Sequence, residues 1–168
     1  LFSTLTVDVG PDHRLPVLVL DTGPGERPGQ GVEMAVGGVR GAAGAEAGMK
    51  GITFSAWRGK RYVTLAELLV RLGSSGLDLT WRVACDEMVD PRCAELERRS
   101  AGDGMDTLTL LSLTTPFLQL IDAEAQGSAE GRTVIVLTEV DSSSWEVRAA
   151  DERVLGELRR RFPDATAL

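Results

Sequence analysis

Histidine and cysteine are nearly missing from this chain. It has one His, His13, and two cysteines, Cys85 and Cys93, in 168 residues. Seven residues separate the cysteines, a spacing that fits no zinc or redox motif, so a His/Cys metal site lacks ligands. Two free thiols, buried or half-buried in a reducing cytoplasm, are the expectation. No run of about 18 apolar residues is present, so no membrane-spanning helix is expected. No basic stretch precedes an apolar one at the start, so no signal peptide is expected either. Phosphate-binding patterns are absent. "GPGERPG" has glycines but no helix after it to offer backbone amides to a phosphate. Positive charge is also short: 18 Lys and Arg stand against 25 Asp and Glu, a net charge of -7. That argues against nucleic acid and anionic membrane as partners, since both require a basic face. The basic runs Arg98-Arg99 and Arg159-Arg160-Arg161 fall near predicted helix ends, where cations complement the helix dipole.

What is present describes one globular domain over residues 1–168, with a loosely specified Gly/Pro-rich segment at about 23–50. Arg, Ala, Gly and Val are frequent and Lys is rare, which reads as the imprint of a GC-rich, bacterial genome. "TLTVDV" (4–9) and "LPVLVL" (15–20) predict a hairpin, and the Gly/Pro-dense 21–31 predicts a loop. "VEMAV" (32–36) and "ITFSAW" (52–57) carry strand patterns, and 37–48 is expected to be loop. A helix is predicted over 64–73, with Thr64 and Glu67 forming a capping box and Gly73 ending it. Residues 77–85 predict a strand with Leu77, Leu79, Trp81 and Val83 on one face. Asp90 and Pro91 open a helix over 90–100. Residues 105–116 fit either a strand or a short helix. Residues 117–149 predict three consecutive strands, and 151–162 an amphipathic helix with Val154, Leu155, Leu158 and Phe162 inward. The expected class is α+β: a largely antiparallel meander packed against about three helices.

"EVDSSSWEVRAADE" (139–152) is the densest cluster of hydroxyls and acids. Strand patterns flank it, so Asp141 to Ser144 are expected to fill a four-residue hairpin loop. A serine nucleophile needs a base held by a third group, and the only histidine is distant in sequence. Trp145, between the acids Asp141 and Glu146, is the candidate partner-binding anchor, because tryptophan is over-represented among residues that carry interface energy. The acidic cluster Asp86, Glu87 and Asp90 offers oxygen ligands to a divalent cation or, more simply, forms a solvated turn with Asp90 as a helix cap.

"VLVLDTG" (17–23) places Asp-Thr-Gly after an apolar strand. Residues 5–23 resemble the hairpin of retroviral-type aspartic proteases. The resemblance implies that Asp21 is a catalytic acid and that a second copy supplies its partner, the two sharing a proton. Pro24 departs from the small residue those proteases carry there. The later apolar pair before a glycine has only "RLGSSG" (71–76) as a counterpart, at the end of a predicted helix.

The leading expectation is a small acidic cytoplasmic protein with no cofactor and no metal. It binds another protein, in the manner of an immunity or regulatory protein masking a basic partner. The dimeric protease built on Asp21 is the alternative, and the oligomeric state is left open.

Overall fold

A computed structural model describes the backbone of residues 3–8 and 14–19, and residues 48–87 and 90–168 in full. Two compact units divide the chain, Leu1–Gly37 and Gly38–Leu168, and each is described by itself. In the first, β1 (Ser3–Asp8) and β2 (Arg14–Val19) form the expected antiparallel hairpin, with Leu5 opposite Val17. Asp21, the predicted loop 21–31 and the strand pattern 32–36 lie outside the described residues.

The second unit is an antiparallel sheet under a layer of helices. Its chain order is β3 (Lys50–Ser55), β4 (Trp57–Arg58), β5 (Arg61–Tyr62), α1 (Leu65–Leu72), α2 (Ser74–Leu77), β6 (Thr80–Cys85), α3 (Arg92–Ser100) and β7 (Met105–Asp106). Next come α4 (Thr107–Thr114), β8 (Ala123–Ala129), β9 (Arg132–Val140), β10 (Ser144–Ala149), α5 (Glu152–Arg161) and β11 (Thr166–Ala167). Seven strands pair in the order β11-β3-β10-β9-β8-β6-β7, and β4 and β5 make a separate small hairpin. The α+β class is as expected, but the described residues hold five helices rather than about three. The two extra ones are α2, a single turn, and α4, whose Thr-rich sequence left helix and strand open. Asp106 decides α4 by accepting from the Thr109 amide at 2.9 Å, which satisfies an orphan helix donor.

Period-2 alternation sorts each strand between the layers. Ile52, Phe54, Trp81, Val83, Ile135, Leu137, Trp145 and Val147 face Leu65, Leu68, Leu96, Leu110, Leu155 and Phe162 in one core. Arg82, Glu124, Gln126, Thr138, Glu146 and Arg148 sit at the intervening positions, on the other face. Thr64 caps α1 as predicted, its hydroxyl accepting from the Glu67 amide at 3.1 Å. The Glu67 carboxylate turns away to Arg61 and Arg71. The last predicted strand trio begins at Ala123, not at 117. Asp122 has φ 47°, a left-handed conformation that interrupts an extended chain, and residues 117–122 approach the sheet as a loop.

Both edges of the sheet are closed by the same device. On β3, β11 covers Ile52 and Thr53, and the next outward amide, Ser55, donates to the Asp164 carboxylate at 2.9 Å. On β6, β7 covers Thr80 and Trp81. Beyond it the Val83 amide donates to Ser100 Oγ at 2.9 Å and the Cys85 amide to Glu97 Oε1 at 2.8 Å. Free strand edges invite pairing with another chain, and these leave little ladder to pair with.

Candidate functional site

One end of the sheet gathers the polar and aromatic groups that the core does not use. The last inward-facing row runs Cys85, Ala123, Glu139, Trp145, Phe54 across five strands. The turns just beyond that row carry Asp86, Asp122, Asp141 and Ser142. Hydrogen bonds tie them together: the Asp86 amide donates to the Asp122 carbonyl at 2.8 Å, and the Asp141 amide to Asp122 Oδ1 at 2.8 Å. Asp86, Glu87 and Asp141 are exposed and Asp122 is half-buried. None of the four makes a salt bridge among the described residues.

The hairpin between β9 and β10 is tighter than the four-residue loop expected. Ser143 N donates to Val140 O at 2.9 Å across Asp141 and Ser142, with φ 49° and 52°, so both central residues are left-handed. That hand suits the strand twist but normally selects Gly or Asn. Contacts hold it: Ser142 O accepts from Trp57 Nε1 at 2.6 Å, Ser142 Oγ from Gln119 Nε2 at 3.3 Å, and Ser143 O from the Ala56 amide at 2.9 Å.

Beneath the turn lies Glu139, 1% exposed. Its Oε2 accepts from the amides of Asp122 (3.1 Å) and Ser142 (3.2 Å). Oε1 is buried without a partner. The Tyr62 hydroxyl adjoins this carboxyl and donates to Leu120 O at 3.2 Å. Burial pushes the Glu139 carboxyl above the ordinary carboxylate range, against the two amides and Tyr62, and the neighbouring Asp122 charge adds to the rise. Burial, with Glu139 beside it, raises Tyr62 as well.

Above Tyr62 sit two exposed aromatics, Trp57 (40% exposed) and Phe117 (52%). Each meets the Tyr62 ring edge-to-face, at 5.4 Å and 6.3 Å between centroids. The indole N–H of Trp57 is already bonded to Ser142, so the ring shows only carbon and π surface outward.

The three residues singled out from sequence do not come together. Trp145 is 1% exposed, and its Nε1 donates to Val63 O at 2.8 Å. It faces the core, because strand parity puts it on the side of Val147 and Ala149. Glu146, next in the strand, points to the opposite face and pairs with Arg148 at 3.0 Å. Asp141 alone stays at the sheet end. The tryptophan at that turn is Trp57, which the β4–β5 hairpin brings to Ser142, 85 residues away in sequence. Sequence reasoning missed Trp57, Phe117, Asp122 and Glu139. For Glu139 a signal existed: it shares parity with Ile135 and Leu137.

Other groups lead to less. Asp90 Oδ1 accepts from the Arg92 amide at 2.9 Å and its carboxylate pairs with Arg92, while Pro91 rather than Asp90 stands at the N-cap position. Among the described residues no cluster of three His, Cys, Asp or Glu is placed to hold a metal ion. Cys85 and Cys93 are both free and buried, and burial, with Cys93 alongside, raises the Cys85 thiol. A cavity of about 580 Å³ between α1 and α5 is lined by Val70, Arg71, Glu157, Arg160 and Arg161. Another of about 540 Å³ opens at the opposite end of the sheet, near Leu79, Ile135 and Val154. No helix among the described residues is long and apolar enough to cross a membrane. Compared with protein-family models, curated proteins and solved structures, the chain matches none.

Proposed function

We propose that this protein is a non-enzymatic binding domain that engages a basic protein partner through the acidic end of its sheet. One observation carries the reading: Asp86, Glu87, Asp122 and Asp141 line that end with no cation of the described residues paired to them. Several other acids of the second unit are matched, although Asp78, Asp103, Asp106 and Glu130, exposed elsewhere, also form no salt bridge among the described residues. Glu67 pairs with Arg61 and Arg71, Glu95 with Arg98 and Arg99, and Asp164 with Arg58. A concentrated negative end attracts and orients a basic partner and raises its association rate. The closed sheet edges fit this reading, since they direct recognition away from strand addition.

The test is capture of partners from the protein's own cell lysate, at low and at high salt, with mass spectrometry of what elutes. A stoichiometric basic protein that leaves at high salt is the expected result. Retention that ignores salt would sink the electrostatic reading. The protease alternative rests on Asp21, which lies outside the described residues. It requires a dimer and peptide cleavage lost in Asp21→Asn.

A further inference from the structure

We infer that the acidic sheet end is a seat for an arginine side chain of the partner, stacked on Trp57 or Phe117 and paired with the carboxylates of Asp122 and Asp141. The inference rests on the binding reading above and narrows it to one kind of contact.

Three features converge on a guanidinium. First, Trp57 and Phe117 offer exposed ring surface with no free donor, since Trp57 Nε1 is held by Ser142 O at 2.6 Å. Such surface accepts an apolar group or a cation over its face. Second, the neighbouring polar groups are carboxylates, which ask for donors. The Asp141–Ser142 turn joins the two features, because its Asp141 amide is fixed to Asp122 Oδ1 at 2.8 Å while its Ser142 carbonyl is fixed to Trp57. Third, the seat is rigid before binding. Trp57 is anchored at its nitrogen and packed on Tyr62, and Ser142 is held by Gln119 and Glu139. Preorganised aromatics give more affinity per contact because little side-chain freedom remains to be lost. Arginine meets both demands at once: it is planar, stacks on rings and carries several donors in a fork that fits a carboxylate. Lysine supplies charge without the plane. The chain already uses this contact internally, with Arg58 over the Phe162 ring at 4.9 Å to the centroid.

The indoles provide the test. Each of the three tryptophans gives one indole N–H resonance in the 15N-labelled protein. Those of Trp81 and Trp145, bonded to Thr107 and Val63, are buried internal controls. The probe is the blocked peptide Gly-Arg-Gly-Arg-Gly, with Lys and citrulline versions alongside. The expected result is a saturable shift of the Trp57 indole alone. Binding should be roughly two- to five-fold weaker for the Lys peptide and lost for the citrulline peptide. Phe117→Ala and the double variant Asp122→Asn, Asp141→Asn should each weaken the titration, with the two control resonances showing that the fold is kept. An unmoved Trp57 indole, equal binding of the Lys peptide, or full binding by the double variant would each overturn the arginine seat. If salt-sensitive capture of a basic protein persists with Trp57 unmoved, the seat fails and the binding reading stands. If capture is absent or indifferent to salt, the binding reading itself fails. Concentration-dependent self-association abolished by Arg160→Ala and Arg161→Ala would assign the seat to a second copy and overturn the foreign partner.

Discussion

Glu139 is the residue where chemistry and architecture meet. It sits on the core face of a strand, holds two turn amides, and keeps one oxygen without a partner. Its carboxyl is raised above the ordinary carboxylate range by burial, so the folded state binds its proton more tightly than the unfolded chain. The linkage sign follows. Stability from this group is full below the unfolded pKa and is lost as pH rises through the folded one. Glu139→Gln removes the titrating group and keeps an oxygen for the two amides. In thermal melts across about pH 4 to 8, this variant should be at least as stable as the parent at the alkaline end, with a flatter slope. A steeper loss in the variant would contradict a raised Glu139. Glu139→Ala should cost ~1–3 kcal/mol for the orphaned amides, read by denaturant unfolding. Glu67 behaves oppositely. Burial pushes it up, Arg61 and Arg71 override that, and it ends below the ordinary carboxylate range. Its contribution is therefore present above the unfolded pKa and lost as pH falls through the folded one. The parity of Glu139 in "TVIVLTEV" was legible in the sequence. The burial of Trp145 and the exposure of Trp57 were not. Both tryptophans lie in or beside strand patterns among polar neighbours, and only the pairing of β10 with β3 and β9 decides which enters the core.

Helices with start signals were legible because a cap is a local device. Thr64, Asp90 and Asp151 each accept a backbone amide at the head of the helix they were expected to open, and Thr64→Ala should cost about 1 kcal/mol by chemical denaturation. The strand starting at Ala123 was misplaced because alternation continues through the preceding loop. Leu118 and Leu120 are buried at 1% and 2% exposure without belonging to any strand. Edge closure was invisible, since it joins groups far apart in sequence. It gives a prediction at the element scale. Ser100→Ala removes the acceptor of the buried Val83 amide and should cost ~1–3 kcal/mol. Pairing it with Glu97→Ala frees the Cys85 amide as well, and light scattering should then show edge-to-edge association. A double variant that stays monomeric with parent stability would show that the edge is protected by something else. Gly127 sets a packing limit of the same kind. A Cβ there would lie 2.7 Å from Ile135 and 2.9 Å from Leu79, so Gly127→Ala should lose ~1–3 kcal/mol through overpacking.

At the scale of the molecule, the α+β class and the antiparallel meander follow from periodicity, and the acidic balance follows from composition. The distribution of that charge does not. It depends on which acids find arginines after folding, and of those in the second unit that form no salt bridge, Asp86, Glu87, Asp122 and Asp141 lie at one end of the sheet. On the proposed reading, that placement is the surface a basic partner meets. The most direct measurement compares two baits in one capture experiment: the parent protein, and a variant with these four residues changed to Asn or Gln. An asparagine in place of Asp122 still offers an oxygen to the Asp141 amide, so the turn geometry is kept. The account predicts that a single basic protein binds the parent, leaves at high salt, and is missing from the neutralised bait. The same protein held equally by both baits would contradict it.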